Sequence, residues 1–201
     1  MKYYKALLFG SIGSIVETSE IQRKSFNKAF KQYGLDWNWT KREYLSLLSK
    51  SGGKDRISRY AKKRKIEVNS VYLRNLKTKI FNNYLKKHQL KLRPGVKNLI
   101  SLCKKENIKI AFVSSTSSNN INAILYCLRN SIKKRDFDFI GNAKLVKKFK
   151  PNPDIYLLAL KKLKLKANDC VAIEDSQESL NSARRAKIKC IIFPGKFHSS
   201  K

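Results

Sequence analysis

Acidic residues are scarce in this chain: Asp and Glu number 14 against 45 Lys and Arg, a formal net charge of +31 over 201 residues. Histidine is scarcer still, with His88 and His198 alone, and Cys103, Cys127, Cys170 and Cys190 show no Cys-x-x-Cys spacing. A His/Cys metal cluster is therefore excluded, and the cysteines read as free thiols in a reducing compartment, three of them within apolar runs. No apolar run approaches 18 residues and the N-terminus enters a strand without a signal-peptide pattern. We expect a soluble cytoplasmic protein with no membrane partner. Gly and Pro are few, at 8 and 4, and no repeat or low-complexity linker interrupts the chain.

What is present suffices for a folded protein. Hydrophobic residues make up 42% and aromatics 10%, which excludes a disordered chain, and the length fits one domain or a core with a small insert. The positive charge attracts polyanions through counterion release, so nucleic acid or a larger complex are partners it admits. Compositional drift accounts for it as well, because Lys, Asn and Ile recur throughout and the charge is spread along the chain.

The apolar run "YYKALLFG" reads as a buried strand opening onto the loop "GSIGS". Helical spacing follows, with Ile21, Phe26, Ala29, Phe30 and Tyr33 on one face and Gly34 as a stop. Thr40 and Glu43 form a capping box, two glycines break the pattern at "SGGKDR" before a helix near Asp55, and Leu73, Leu76, Ile80 and Tyr84 mark a longer helix. From Leu92 strands and helices alternate: "LRPGVKNLISLCKKEN" with Pro94 in its first turn, "IKIAFVSS", a helix over 121–128, "FDFIG", "PDIYLLALKKLK", "CVAIED", "SLNSARRAK" and "IKCIIF". Right-handed crossovers then predict a parallel α/β sheet with helices on both faces, built from residues 1–16 and 92–201. Residues 17–91 are too long for a crossover and predict an inserted all-helical cap.

Ligands bind beyond the carboxyl ends of such strands. Those ends carry the "GSIGS" loop, Ser114 and Ser115, Lys150, and the pair Glu174 and Asp175. Hydroxyls, an ammonium and two carboxylates converging at one edge suit a phosphate and a cation. Singly, each has a plain structural role open to it: a turn hydroxyl, a solvated lysine, or an acidic pair favoured by a helix dipole.

The order of these elements resembles the haloacid dehalogenase superfamily over nearly the whole chain. "ETSEIQRKSFNKAF", "GLDWNW", "SGGKDRI", "LRPGV", "KPNPDIYLLAL" and "IEDSQESLNSARRA" are similar to its CbbY-like branch of xylulose-1,5-bisphosphate phosphatases. The resemblance implies a Rossmannoid core with a helical cap, a phosphate grip from Ser11, Ser114, Ser115 and Lys150, a metal pair at Glu174 and Asp175, and a cap substrate loop at Gly52, Gly53, Lys54 and Arg56. It also implies a setting in bacterial cytoplasm or plastid stroma.

The departures point the other way. The superfamily's first motif, Asp-x-Asp-Gly-Thr, falls on Gly10, Ser11, Ile12, Gly13 and Ser14. Gly10 and Ile12 cannot serve as nucleophile and general acid/base. Gln22 stands where the branch carries a cap histidine, and Ser179 and Lys187 stand for glycines. With two aspartates gone, Glu174 and Asp175 exceed Lys150 by one charge, so the Mg²⁺ of the superfamily is expected to be lost and no cofactor is expected. The expectation is a pseudoenzyme that can still hold a phosphate-bearing small molecule without metal. Two alternatives stand beside it: an active sugar-phosphate phosphatase with atypical chemistry, and a basic RNA-binding or complex-associated protein using Lys54, Arg56, Arg59, Lys62, Lys63, Arg64 and Lys65.

Overall fold

The computed structural model describes residues 4–48 and 52–195. Packing divides the chain into one unit of Met1–Glu17 with Gln89–Lys201 and a second of Thr18–His88. The first unit opens with β1 (Ala6–Phe9) and α1 (Ile12–Ile15). The second carries α2 (Ser19–Gln32), α3 (Lys41–Leu47), α4 (Gly53–Arg64) and α5 (Ser70–Lys87). The first unit then continues with α6 (Val96–Lys105), β2 (Lys109–Val113), α7 (Ser118–Cys127), β3 (Phe139–Gly141), α8 (Asp154–Leu163), β4 (Cys170–Glu174), α9 (Gln177–Arg185) and β5 (Lys189–Ile192).

The five strands form one wholly parallel sheet in the order β3-β2-β1-β4-β5. In that order β1 lies between β2 and β4, with Leu8 opposite both Ala111 and Ala172. The carboxyl ends of these three strands are thus neighbours, which is where Gly10, Ser114 and Glu174 fall. Ala6, Leu8, Ala111, Val113, Cys170 and Ala172 make one buried cluster with Ile155, Tyr156 and Ala159 of α8 and Ala183 of α9. Small strand residues on this face leave room for the ring of Tyr156, which is fully buried.

Aromatic packing makes the core of the second unit. Phe26 and Phe30 of α2 surround Trp39, with ring centroids 4.8 and 4.7 Å away, and Trp37 meets Tyr60 of α4 at 5.0 Å. Thr40 and Glu43 form the reciprocal capping box that the sequence predicts for α3.

Four local expectations are corrected. The first loop is not open: residues 12–15 wind into α1, capped by the Ser11 side chain. Pro94 lies in a turn ahead of α6, because Gly95 at φ 80° takes the N-cap position. Tyr33 is 37% exposed although Phe26, Ala29 and Phe30 on the same helix are buried. The buried stripe of α5 is Leu73, Lys77, Phe81 and Leu85, displaced by one residue from the Leu76, Ile80 and Tyr84 expected. A lysine inside the stripe breaks the apolar pattern and disguises its phase.

Candidate functional site

β4 delivers Glu174 to the sheet edge with its side chain wholly buried. The Lys150 ammonium meets Glu174 Oε1 at 2.5 Å and also donates to the carbonyl of Gly10. Tyr156, one turn into α8, donates its hydroxyl to the same Oε1 at 2.5 Å, and the lysine ammonium lies 4.9 Å from its ring centroid. Burial raises the Glu174 carboxyl above its ordinary pKa despite the opposing attraction of Lys150, and burial together with Glu174 pushes the Tyr156 phenol well up. Glu174, Lys150 and Tyr156 thus form one compact cluster, with a single carboxylate oxygen accepting both donors.

That cluster fills the place where a first-motif side chain would start. A Cβ built on Gly10 would overlap both Glu174 Oε1 and Tyr156 Oη, and one built on Gly13 would overlap Asp175 Oδ2. Arg93 holds the loop in place, donating at 2.7 Å to the carbonyls of Gly13, Phe193 and Pro194 while its guanidinium stacks on Phe193. The sequence offered Arg93 only as part of "LRPGV". Its positioning role depends on contacts 80 and 101 residues away, which no local pattern encodes.

The expected phosphate donors are brought together only in part. Ser114 is buried, and its Oγ accepts from the Thr116 amide at 3.2 Å. Ser115 Oγ is buried without a hydrogen-bond partner, as is Oδ1 of Asn120, whose amide group donates to Thr116 Oγ1 at 3.1 Å. These groups sit at the start of α7, where Ser117 caps the helix. Ser11 is turned inward instead: its Oγ accepts from the Ser14 amide at 3.2 Å while the Ser14 hydroxyl donates to its carbonyl. Lys150 is committed to Glu174 and Gly10, so its ammonium is not free for an anion, and Ser11 is engaged as an acceptor in the cap of α1.

Mg²⁺, which the resemblance implies, does not fit the donors present. Among the described residues no three His, Cys, Asp or Glu side chains converge in a way that could hold a metal. Glu174 Oε1 is taken by two donors; Oε2 is buried without a partner, and Asp175 lies against Gly13. An octahedral ion needs several oxygens free to turn toward it, and the lysine has already neutralised one of the two carboxylates.

Within the second unit, the residues expected as a substrate loop divide. Gly52 at φ 93° precedes α4, Gly53 begins it, and Lys54 is exposed. Arg56 is not at the surface: it is 7% exposed, donates from Nε to the Leu47 carbonyl at 2.9 Å, and places its guanidinium over Phe26 and Tyr44. Its flat, weakly hydrated head packs on aromatic faces where an ammonium would be costly, so it drops out of the exposed basic cluster. Lys77 was overlooked altogether. It is buried, donates to Gln22 Oε1, and lies 4.9 and 5.0 Å from the ring centroids of Phe26 and Phe81. Burial, reinforced by Arg56 and Arg74, lowers its pKa to about 7.

Residues 13–193 match the model of the haloacid dehalogenase-like hydrolase family. The match begins after Gly10, Ser11 and Ile12. Protein CbbY of Cereibacter sphaeroides is 35% identical over 194 residues, covering 95% of this chain and 84% of that protein. The crystal structure of CbbY from Rhodobacter sphaeroides in complex with phosphate superposes with a TM-score of 0.90 at 34% identity, covering 98% of this chain and 89% of the other. A mutant of the same protein in complex with xylulose-(1,5)bisphosphate gives the same TM-score, identity and coverage.

Two outcomes follow from the buried cations. Replacing Lys150 by Met strands Glu174 in the core and is expected to cost about 3–5 kcal/mol in urea unfolding, whereas Lys150→Met with Glu174→Gln recovers most of that loss. Equal losses in the single and double variants would remove the pair from its central place. For Lys77 the folded pKa is depressed, so its contribution to stability is full above the ordinary value of 10.5, falls as pH drops toward about 7, and is level below that. Lys77→Met is therefore expected to stabilise the second unit most at and below pH 7 and hardly at all near pH 10.5. Both tryptophans, Trp37 and Trp39, lie in that unit, so their fluorescence reads its unfolding directly.

Proposed function

This chain belongs to the haloacid dehalogenase-like hydrolase family, and on that premise we propose that it is a catalytically silent relative of the CbbY-type phosphatases that retains binding of a phosphate-bearing small molecule. One observation carries the reading. The position that the family motif gives to a nucleophile holds Gly10, and the space beside it is filled by Glu174 and Tyr156. A missing aspartate alone would leave a cavity; here the ion pair has closed over it. Phosphoryl transfer in the family requires a carboxylate at that point and a second to move the proton, and Ile12 offers no ionisable group. Ser11 is a poor substitute, because its hydroxyl oxygen is engaged in capping α1 and no base adjoins it.

Binding is a separate matter from turnover. The hydroxyl and backbone amide donors of the β2–α7 segment, with Ser115 Oγ unpartnered, offer an anion neutral donors that need no metal. The relatives crystallised with phosphate and with xylulose-(1,5)bisphosphate suggest a sugar phosphate as the ligand class. We place this binding role in a bacterial cytoplasm or a plastid stroma, by resemblance to the CbbY-like branch.

The direct check is a phosphatase assay on xylulose-1,5-bisphosphate and an aryl phosphate with Mg²⁺. No turnover above the uncatalysed rate is expected, since loss of a nucleophile and its proton partner typically removes about 10⁴–10⁶ in rate. Turnover that disappears on Ser114→Ala would show a working site and overturn the reading.

A further inference from the structure

The second unit carries an exposed groove that the phosphatase ancestry does not explain. Tyr33, Ser58, Ala61, Lys62, Ile66, Glu67, Val68 and Asn69 line it, enclosing about 520 Å³. Tyr33 at the end of α2 and Tyr72 at the start of α5 pack against each other with centroids 5.7 Å apart and rings tilted by 46°. They are 37% and 54% exposed; Ile66 of the groove lining is 40% exposed and Val71, next to Tyr72, 52%. The pair is held in place rather than loose, since Tyr33 Oη accepts from the Asn69 amide at 3.2 Å and Asn69 caps α5.

Lys62 lines the groove, and further cations lie along the same segment of chain. Arg59, Lys62, Lys63, Arg64 and Lys65, from the second half of α4 and its left-handed cap, are all exposed. Glu67 is the one carboxylate among the lining residues. A pair of half-exposed tyrosine rings beside a run of cations matches what a single-stranded nucleic acid presents, namely flat bases on a phosphate chain. An acidic protein surface would be attracted by the cations and would leave the tyrosine faces unused.

We propose that this groove binds single-stranded RNA, with bases stacked on Tyr33 and Tyr72 and phosphates paired to Arg59, Lys62, Lys63 and Lys65. The site lies wholly within the second unit and does not depend on the strand-end chemistry. Arg56, which the sequence placed in the same basic cluster, takes no part because its guanidinium is buried.

The test uses the full chain and a fluorescent uridine dodecamer near 150 mM salt. Tyr72→Ala is expected to weaken binding about tenfold, as base stacking on an aromatic side chain does elsewhere. Charge reversal of Arg59, Lys62, Lys63 and Lys65 to Glu is expected to flatten the salt dependence, each lost contact removing about 0.7 from the log–log slope. Glu67→Gln is expected to tighten binding. Lys133→Glu with Lys134→Glu, in the other unit, is the control for net charge and is expected to leave affinity within about twofold; a loss equal to that of the groove variants would mean diffuse charge alone and overturn the proposal. So would a silent Tyr72→Ala, or heparin competing as well as RNA before and after that change, either of which points to a polyanion or an acidic protein held by charge only. Tyr72 is half exposed, tryptophan fluorescence of Trp37 and Trp39 confirms that the groove variants are folded, and circular dichroism does so for the Lys133 and Lys134 control.

Discussion

Glu174 ends β4 fully buried, and a carboxylate there must be neutralised before the first loop can close over it. Lys150 supplies that charge at 2.5 Å and Tyr156 supplies a second donor to the same oxygen. Much of the sheet edge depends on this arrangement. It fixes the Gly10 carbonyl through the same ammonium, leaves no room for a Cβ at position 10 unless Glu174 and Tyr156 shift, and ties Tyr156 of α8 to the end of β4. In a site with two further aspartates, a divalent ion would balance the excess negative charge; with those aspartates absent, a lysine suffices. The pair is coherent as structure.

The α/β alternation after Leu92 was legible because parallel strands buried on both faces read as short continuous apolar runs, as in "KIAFV" and "CVAIE". The helical block was legible from its length and from the Thr40–Glu43 box. At the candidate site, the sequence named Gly10, Ser114, Lys150 and Glu174 and put them at strand ends. It did not reveal that Lys150 faces Glu174 rather than an incoming anion, because that choice depends on which charges remain after folding. Tyr156 was invisible for a similar reason: on α8 it reads as one more apolar residue of the core face, and only its hydroxyl reaching Glu174 gives it a further part. Lys77 and Arg56 escaped because long basic side chains are solvated by default, and each here is buried against aromatic rings that come from other helices.

The two units thus handle positive charge differently. In the first, a buried ammonium is matched by a buried carboxylate, so the local balance is close to neutral. In the second, Lys77 and Arg56 are buried with aromatic faces and neutral acceptors beside them, which depresses the lysine and leaves that unit's stability sensitive to pH. The exposed cations of α4 belong to neither arrangement and are free to meet a polyanion, which is why the groove beside them is the part of the surface where the net charge of +31 acquires a shape.

The proposal that this site holds phosphate without a metal is tested most directly by titrating inorganic phosphate calorimetrically with and without Mg²⁺. The account predicts a phosphate affinity that is the same within about twofold in both, with no heat from Mg²⁺ alone, because among the described residues no third carboxylate, His or Cys joins Glu174 and Asp175 to complete an octahedral shell. A tightening of about tenfold or more in Mg²⁺, lost on Asp175→Asn, would contradict it.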